Sequence, residues 1–131
     1  MLKHMKGNIL YVEDESFFAS IISKKLMEND FKVDIAVDGE EGLQNAQKNK
    51  YDLILLDLIL PKFGGLEVLE KLKSEDATKD VPVVILSNLS SEADKAKAKE
   101  LGAHSFYVKI NTMPNEILAL VRRILVPNEA K

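Results

Sequence analysis

Five polar side chains in this sequence stand directly behind short apolar runs, and their types suit phosphoryl chemistry. Glu13 and Asp14 follow Ile9-Leu10-Tyr11-Val12, and Asp57 follows Leu53-Ile54-Leu55-Leu56. Ser87 follows Val83-Val84-Ile85-Leu86, and Lys109 follows Phe106-Tyr107-Val108. A small cluster of carboxylate oxygens suits Mg2+, a hard cation that takes octahedral oxygen ligands at about 2.1 Å. A carboxylate can also be a nucleophile toward phosphorus, forming an aspartyl phosphate. That transfer needs the charge on the moving group neutralised, which a metal, an ammonium and a hydroxyl donor can do.

Asp57 carries the most information. It is the only polar side chain from Leu53 to Leu60, and an unpaired buried carboxylate is costly enough to require a cation or donors. The plain alternative is a capping or turn Asp. For Glu13 and Asp14 that alternative is stronger, because acidic residues commonly cap helices and Asp14-Glu15-Ser16 precedes a helical pattern.

These residues meet only if the apolar runs lie side by side as strands. Residues 9–12 read as a buried strand, and a helical pattern over 16–28 places Phe18, Ile22 and Leu26 on one face. Residues 31–37 alternate, with Val33, Ile35 and Val37 set against Lys32, Asp34 and Ala36, which predicts a half-exposed edge strand. Asp38-Gly39 opens a helix through Leu43 and Ala46 to about Lys48. Residues 53–56 and 83–86 are apolar on both faces, as central parallel strands must be. A helix with Leu66, Leu69 and Leu72 on one side lies between them. A fourth helix over about 91–101 ends at Gly102 and offers Ala93, Ala96 and Leu101 to a core. Residues 106–108 form a last short strand, and a helix over about 113–126 stops at Pro127. Five strands alternating with five helices imply right-handed crossovers and a parallel sheet covered on both faces, an α/β fold. Ligands of such sheets bind beyond the carboxyl ends of the strands, which is where all five polar residues fall.

Composition narrows the classes. The chain has 131 residues, 46% of them hydrophobic and 30% charged, which suits one globular domain over 1–131 with a core of about 8–126. Eighteen Lys and Arg against 21 Asp and Glu give a net charge of −3, which disfavours direct nucleic-acid binding. Absence of Cys excludes disulfide scaffolds, thiolate metal sites and thiol nucleophiles. His4 and His104 are too few for a polyhistidine metal site. The first seven residues lack the apolar stretch of a signal peptide, and no run approaches the roughly 18 apolar residues of a membrane span. The expected location is the cytoplasm, away from membranes.

Taken together, these residues make the chain resemble a receiver domain of the response regulators of two-component signalling, similar to the single-domain chemotaxis type. The resemblance runs from Ile9 to about Leu125. It rests on the acidic pair Glu13-Asp14, the stretch Asp57-Leu58-Ile59-Leu60-Pro61 with Gly65, Ser87, the Gly102-Ala103 turn and Lys109. It implies a doubly wound, flavodoxin-like (βα)5 fold with strand order 2-1-3-4-5. It also implies that Asp57 accepts a phosphoryl group from a phosphohistidine of a sensor histidine kinase or phosphotransfer protein. Glu13 (through water), Asp14, Asp57 and the backbone carbonyl of Ile59 would hold Mg2+ or Mn2+. Lys109 and Ser87 would bind phosphoryl oxygens, with Ser87 and Phe106 switching the surface of the fourth helix, fifth strand and fifth helix. That surface would meet a downstream effector or a second copy of the chain.

Departures from the family pattern are as specific. Ile110 follows Lys109 where a Pro in a cis bond is usual, so a trans bond is expected: cis costs about 3–4 kcal/mol before other residues and about 0.5–1 before Pro. Gly64 replaces a frequent Asp, Phe106 lacks a hydroxyl, and Asn88 stands where a small residue is common. Ile59 and Leu89 are both apolar. A flavodoxin needs a hydroxyl-rich phosphate loop where this chain has Glu13-Asp14-Glu15, and an aspartyl-phosphate phosphatase needs an Asp-x-Asp-x-Thr arrangement that is missing. The remaining alternative is an unphosphorylated receiver that works only through its surface. Lys95, Lys97 and Lys99 read as a solvated helix face, and His104 as a surface residue.

Overall fold

Residues 5–128 are described by the computed structural model. The strands are β1 (Gly7–Val12), β2 (Phe31–Ala36), β3 (Leu53–Leu56), β4 (Val83–Ser87) and β5 (Ser105–Val108). Five helices follow them in turn: α1 (Ser16–Met27), α2 (Gly39–Lys48), α3 (Gly65–Ser74), α4 (Glu92–Glu100) and α5 (Pro114–Leu125). A single 3-10 turn, Lys109–Asn111, intervenes before α5. The sheet is parallel throughout, in the order β2-β1-β3-β4-β5. This is the doubly wound arrangement expected from the sequence.

The two-faced apolar strands are explained by two cores. On one face Leu10, Val12, Ile54 and Leu56 pack with Leu43 and Ala46 of α2 and Val68, Leu69 and Leu72 of α3. On the other, Ile9, Tyr11, Leu53 and Leu55 pack with Ile22 and Leu26 of α1 and Ile117, Leu120 and Val121 of α5. Alternation of side chains along each strand sends successive residues to opposite cores.

The helix ends follow local chemistry. The Asp38 carboxylate accepts from the Glu41 backbone N–H at 2.8 Å and caps α2, and the Ser91 hydroxyl accepts from that of Asp94 at 3.1 Å and caps α4. Gly102, at φ 103°, closes α4 with paired bonds from Gly102 N to Lys99 O and from Ala103 N to Ala98 O. No peptide bond among the described residues is cis, so Lys109–Ile110 is trans as expected.

Two packing expectations need correction. In α4 it is Ala98 that is buried, with Leu101 half-buried behind it, whereas Ala93 and Ala96 face solvent. Helical spacing allowed either stripe, and the C-terminal one lies against the sheet. In β2, Ala36 is buried while Ile35 and Val37 are 37% and 51% exposed. Edge position explains this: Phe31 and Val33 share the core under α1, and the row beyond them is uncovered. The strand is an edge strand, but its alternation does not mark its buried face.

Candidate functional site

Register brings the strand ends level. Val12 pairs with Leu56, Leu56 with Ile85, and Ser87 with Val108, so the residues that follow share one rim of the sheet. The Asp57 N–H continues the ladder by donating to Val12 O at 3.1 Å. Behind Asp57, α3 begins at Gly65, whose N–H donates to Leu58 O at 2.9 Å. A Cβ on Gly65 would lie 2.3 Å from the Asp57 carbonyl oxygen and 2.4 Å from Leu58 Cα. Only glycine admits the backbone that closely.

Lys109 lies at the centre of the rim. Its side chain is buried, with Nζ 2.7 Å from Asp57 Oδ2, 2.8 Å from Glu13 Oε1 and 3.2 Å from Glu15 Oε1. The ammonium also stands 5.0 Å from the centroid of the Phe18 ring, within cation–π range. Burial alone would pull the lysine down, but hydrogen bonds and charges from Asp57 and Glu13 reverse this and hold it above its ordinary range. Burial pushes the Glu13 carboxyl up, with Asp57 adding to the rise and Lys109 opposing it. Asp57 is 2% exposed, and its Oδ1 accepts from the Ile59 N–H at 3.1 Å.

Glu13, Asp14 and Asp57 each offer an oxygen, and these oxygens lie within 4.8 Å of one another. Opposite ligands of an octahedral Mg2+ are separated by about 4 Å, so the set could hold a hard cation, with Glu13 reaching it through water. Two of the three carboxylates are buried and Asp14 is exposed, which leaves the cluster open to solvent on one side.

The other expected residues lie around this centre. Ser87 is fully buried, and its hydroxyl accepts from the Leu89 N–H at 3.2 Å. Ile59 and Leu89 flank the rim, 55% and 40% exposed. Phe106 is half-buried against the core under α2 and α3. His104 is exposed, as anticipated.

Several contacts escaped the sequence reading. The α1 N-cap position is Glu15, but its side chain makes no capping bond and turns to Lys109 instead. The Tyr11 hydroxyl, read only as part of an apolar strand, donates to Glu13 Oε1 at 3.1 Å. Burial, then the Glu13 charge, raises that phenol far above its usual range. Period-two alternation was the available signal, since it puts residues 11 and 13 on one face. Asn88 Oδ1 accepts from the Ile110 N–H at 2.8 Å, tying the loop after β4 to the turn after β5.

Comparison with known proteins agrees with this geometry. The family described as "Response regulator receiver domain" matches residues 9–122. The chain belongs to that family, the receivers of two-component response regulators. It is 39% identical over 117 residues to the response regulator ArlR of Staphylococcus haemolyticus, covering 89% of this chain and 50% of that protein. It therefore spans about half the length of the staphylococcal relatives it matches. Among solved structures it is similar to the chemotaxis protein CheY4 of Vibrio cholerae, with a TM-score of 0.84 and 28% identity over 94% of this chain and 100% of that one. It is also similar to the BeF3-activated N-terminal receiver domain of RstA from Klebsiella pneumoniae, with a TM-score of 0.83 and 28% identity. That match covers 91% of this chain and 98% of that one.

Proposed function

We propose that this receiver takes a phosphoryl group on Asp57 from a phosphohistidine of a sensor histidine kinase or phosphotransfer protein. The observation that carries the reading is the Lys109–Asp57 contact at 2.7 Å inside a cluster of three further carboxylates. In the transfer an Asp57 oxygen attacks phosphorus. The new P–O bond forms as the P–N bond breaks, and the electron pair stays on the imidazole nitrogen. Lys109 shifts a hydrogen bond to a phosphoryl oxygen, and Ser87 turns from Leu89 to donate to another.

Mg2+ or Mn2+, held by Asp14, Asp57, the Ile59 carbonyl and Glu13 through water, would supply charge neutralisation for the moving group. The BeF3-activated state of the similar Klebsiella receiver supports a phosphoryl-responsive site. Movement of Ser87 pulls the loop before α4, Phe106 turns further into its core, and the α4, β5 and α5 surface changes. That surface would engage an effector or a second copy of the chain. Such a protein catalyses only its own phosphorylation and dephosphorylation, and it works in the cytoplasm.

The test is intact mass after incubation with acetyl phosphate and Mg2+. One phosphoryl group should add to the natural chain and none to Asp57→Ala. Full labelling of the variant would refute Asp57 as acceptor.

A further inference from the structure

Tyr11 is fully buried, and its hydroxyl has Glu13 as its hydrogen-bond partner. A hydroxyl placed in an apolar core is costly unless bonded, and a Phe would fill the same space without that demand. The hydroxyl reaches the one oxygen, Oε1, that Lys109 also holds at 2.8 Å. The other oxygen of Glu13 accepts from the Glu15 N–H at 3.2 Å. Glu13 is thus a buried carboxylate held by three donors, of which Lys109 is the strongest.

Phosphorylation, on the reading above, calls Lys109 away from this arrangement toward the new phosphoryl oxygens. Glu13 would then keep a single backbone donor unless a second side chain remained. We propose that the Tyr11 hydroxyl is a positioning donor: it keeps Glu13 Oε1 bonded and in place while Lys109 turns to the phosphoryl group on Asp57. The inference rests on the phosphorylation reading and assigns Tyr11 no contact with the reacting atoms. Outer partners that orient ligand carboxylates typically contribute about 10–100-fold.

The test compares the natural chain with Tyr11→Phe, which preserves the ring. With saturating Mg2+, Tyr11→Phe should lower the maximal rate of acetyl phosphate labelling about tenfold, at the lower end of that range, and leave the half-saturating concentration unchanged. In a Glu13→Ala background the same change should have no further effect, since the shared acceptor is gone. An unchanged maximal rate, or an equal loss in the Glu13→Ala background, would overturn the proposal. A second readout needs no variant of the site. In the natural chain carrying 13Cζ-tyrosine, the Tyr11 signal should move when Mg2+ and beryllofluoride are added, because Lys109 leaves the shared oxygen. A stationary signal would overturn it. Failure of the natural chain to label at Asp57 would instead refute the phosphorylation reading.

Discussion

Replacing Asp14 by Asn should stabilise the protein without metal and weaken its response to Mg2+. The carboxylates of Glu13, Asp14 and Asp57 have oxygens within 4.8 Å of one another. At that separation two charges repel by about 3.5 kcal/mol at an effective dielectric of 20, and by about 0.9 in bulk water. Asp14 is exposed, so the water limit is the better guide to its share. Two such repulsions, offset in part by Lys109, leave about 1 kcal/mol for Asp14→Asn to release. For a chain of this size that raises the melting temperature by about 3–5 °C in EDTA. Mg2+ bound only to the folded state acts in the opposite direction. At a hundred times its Kd it adds about 2.7 kcal/mol, or about 10 °C, to the natural protein. A site weakened tenfold by loss of one charged ligand keeps only about half of that shift. Scanning calorimetry of both proteins, in EDTA and in Mg2+, reads all four values. The reasoning fails if Asp14→Asn melts no higher than the parent in EDTA, or gains as much from Mg2+.

Two further outcomes follow from the same geometry. Gly65→Ala should destabilise by about 1–3 kcal/mol, because its Cβ would meet the Asp57 carbonyl at 2.3 Å; an unchanged urea midpoint would show that α3 can shift without cost. On the proposed phosphorylation, the phosphoryl group should be lost slowly, since exposed Ile59 and Leu89, two residues beyond Asp57 and Ser87, cannot hydrogen-bond an attacking water. Positioned polar groups bring about 10²–10⁴-fold, so Ile59→Asn and Leu89→Glu should hasten decay after donor removal. Equal decay rates would remove these side chains from control of water.

Asp57, Glu13, Asp14 and Lys109 were legible because each polar residue ends an apolar run, and parallel strands carry such residues to a common rim. Strand order came with the family resemblance, and the trans Lys109–Ile110 bond was legible from the cost of cis before a residue other than Pro. What stayed hidden depends on side-chain direction. The burial of Ala98 in place of Ala93 and Ala96 turns on which stripe of a weakly amphipathic helix meets the sheet, and Ala-Lys alternation does not encode it. Glu15 at the helix start and Tyr11 in its strand each had an ordinary local role to play. Their contacts with the site, Glu15 with Lys109 and Tyr11 with Glu13, appear only in three dimensions.

If Asp57 is phosphorylated as proposed, the resting contacts around Ser87 set the energy against which the phosphoryl group would work. The hydroxyl would give up one neutral bond, from Leu89 N–H, on turning toward Asp57. Moving the same loop would also strain the Asn88–Ile110 bond, 2.8 Å in the resting protein. Neutral bonds contribute about 1 kcal/mol each, whereas a bond to a charged acceptor contributes about 1.5–3. The α4 helix, which would follow, adds little resistance, since Ala98 and Leu101 are its apolar anchors. Gain and cost are therefore comparable, and a small extra tie matters. Ile110 supplies that tie, because a Pro in its place would have no N–H to offer Asn88. One such bond, about 1 kcal/mol, favours the resting loop about fivefold. On the proposed phosphorylation, Ile110 in place of the family's usual Pro would act as a restraint that makes switching depend more heavily on the phosphoryl group.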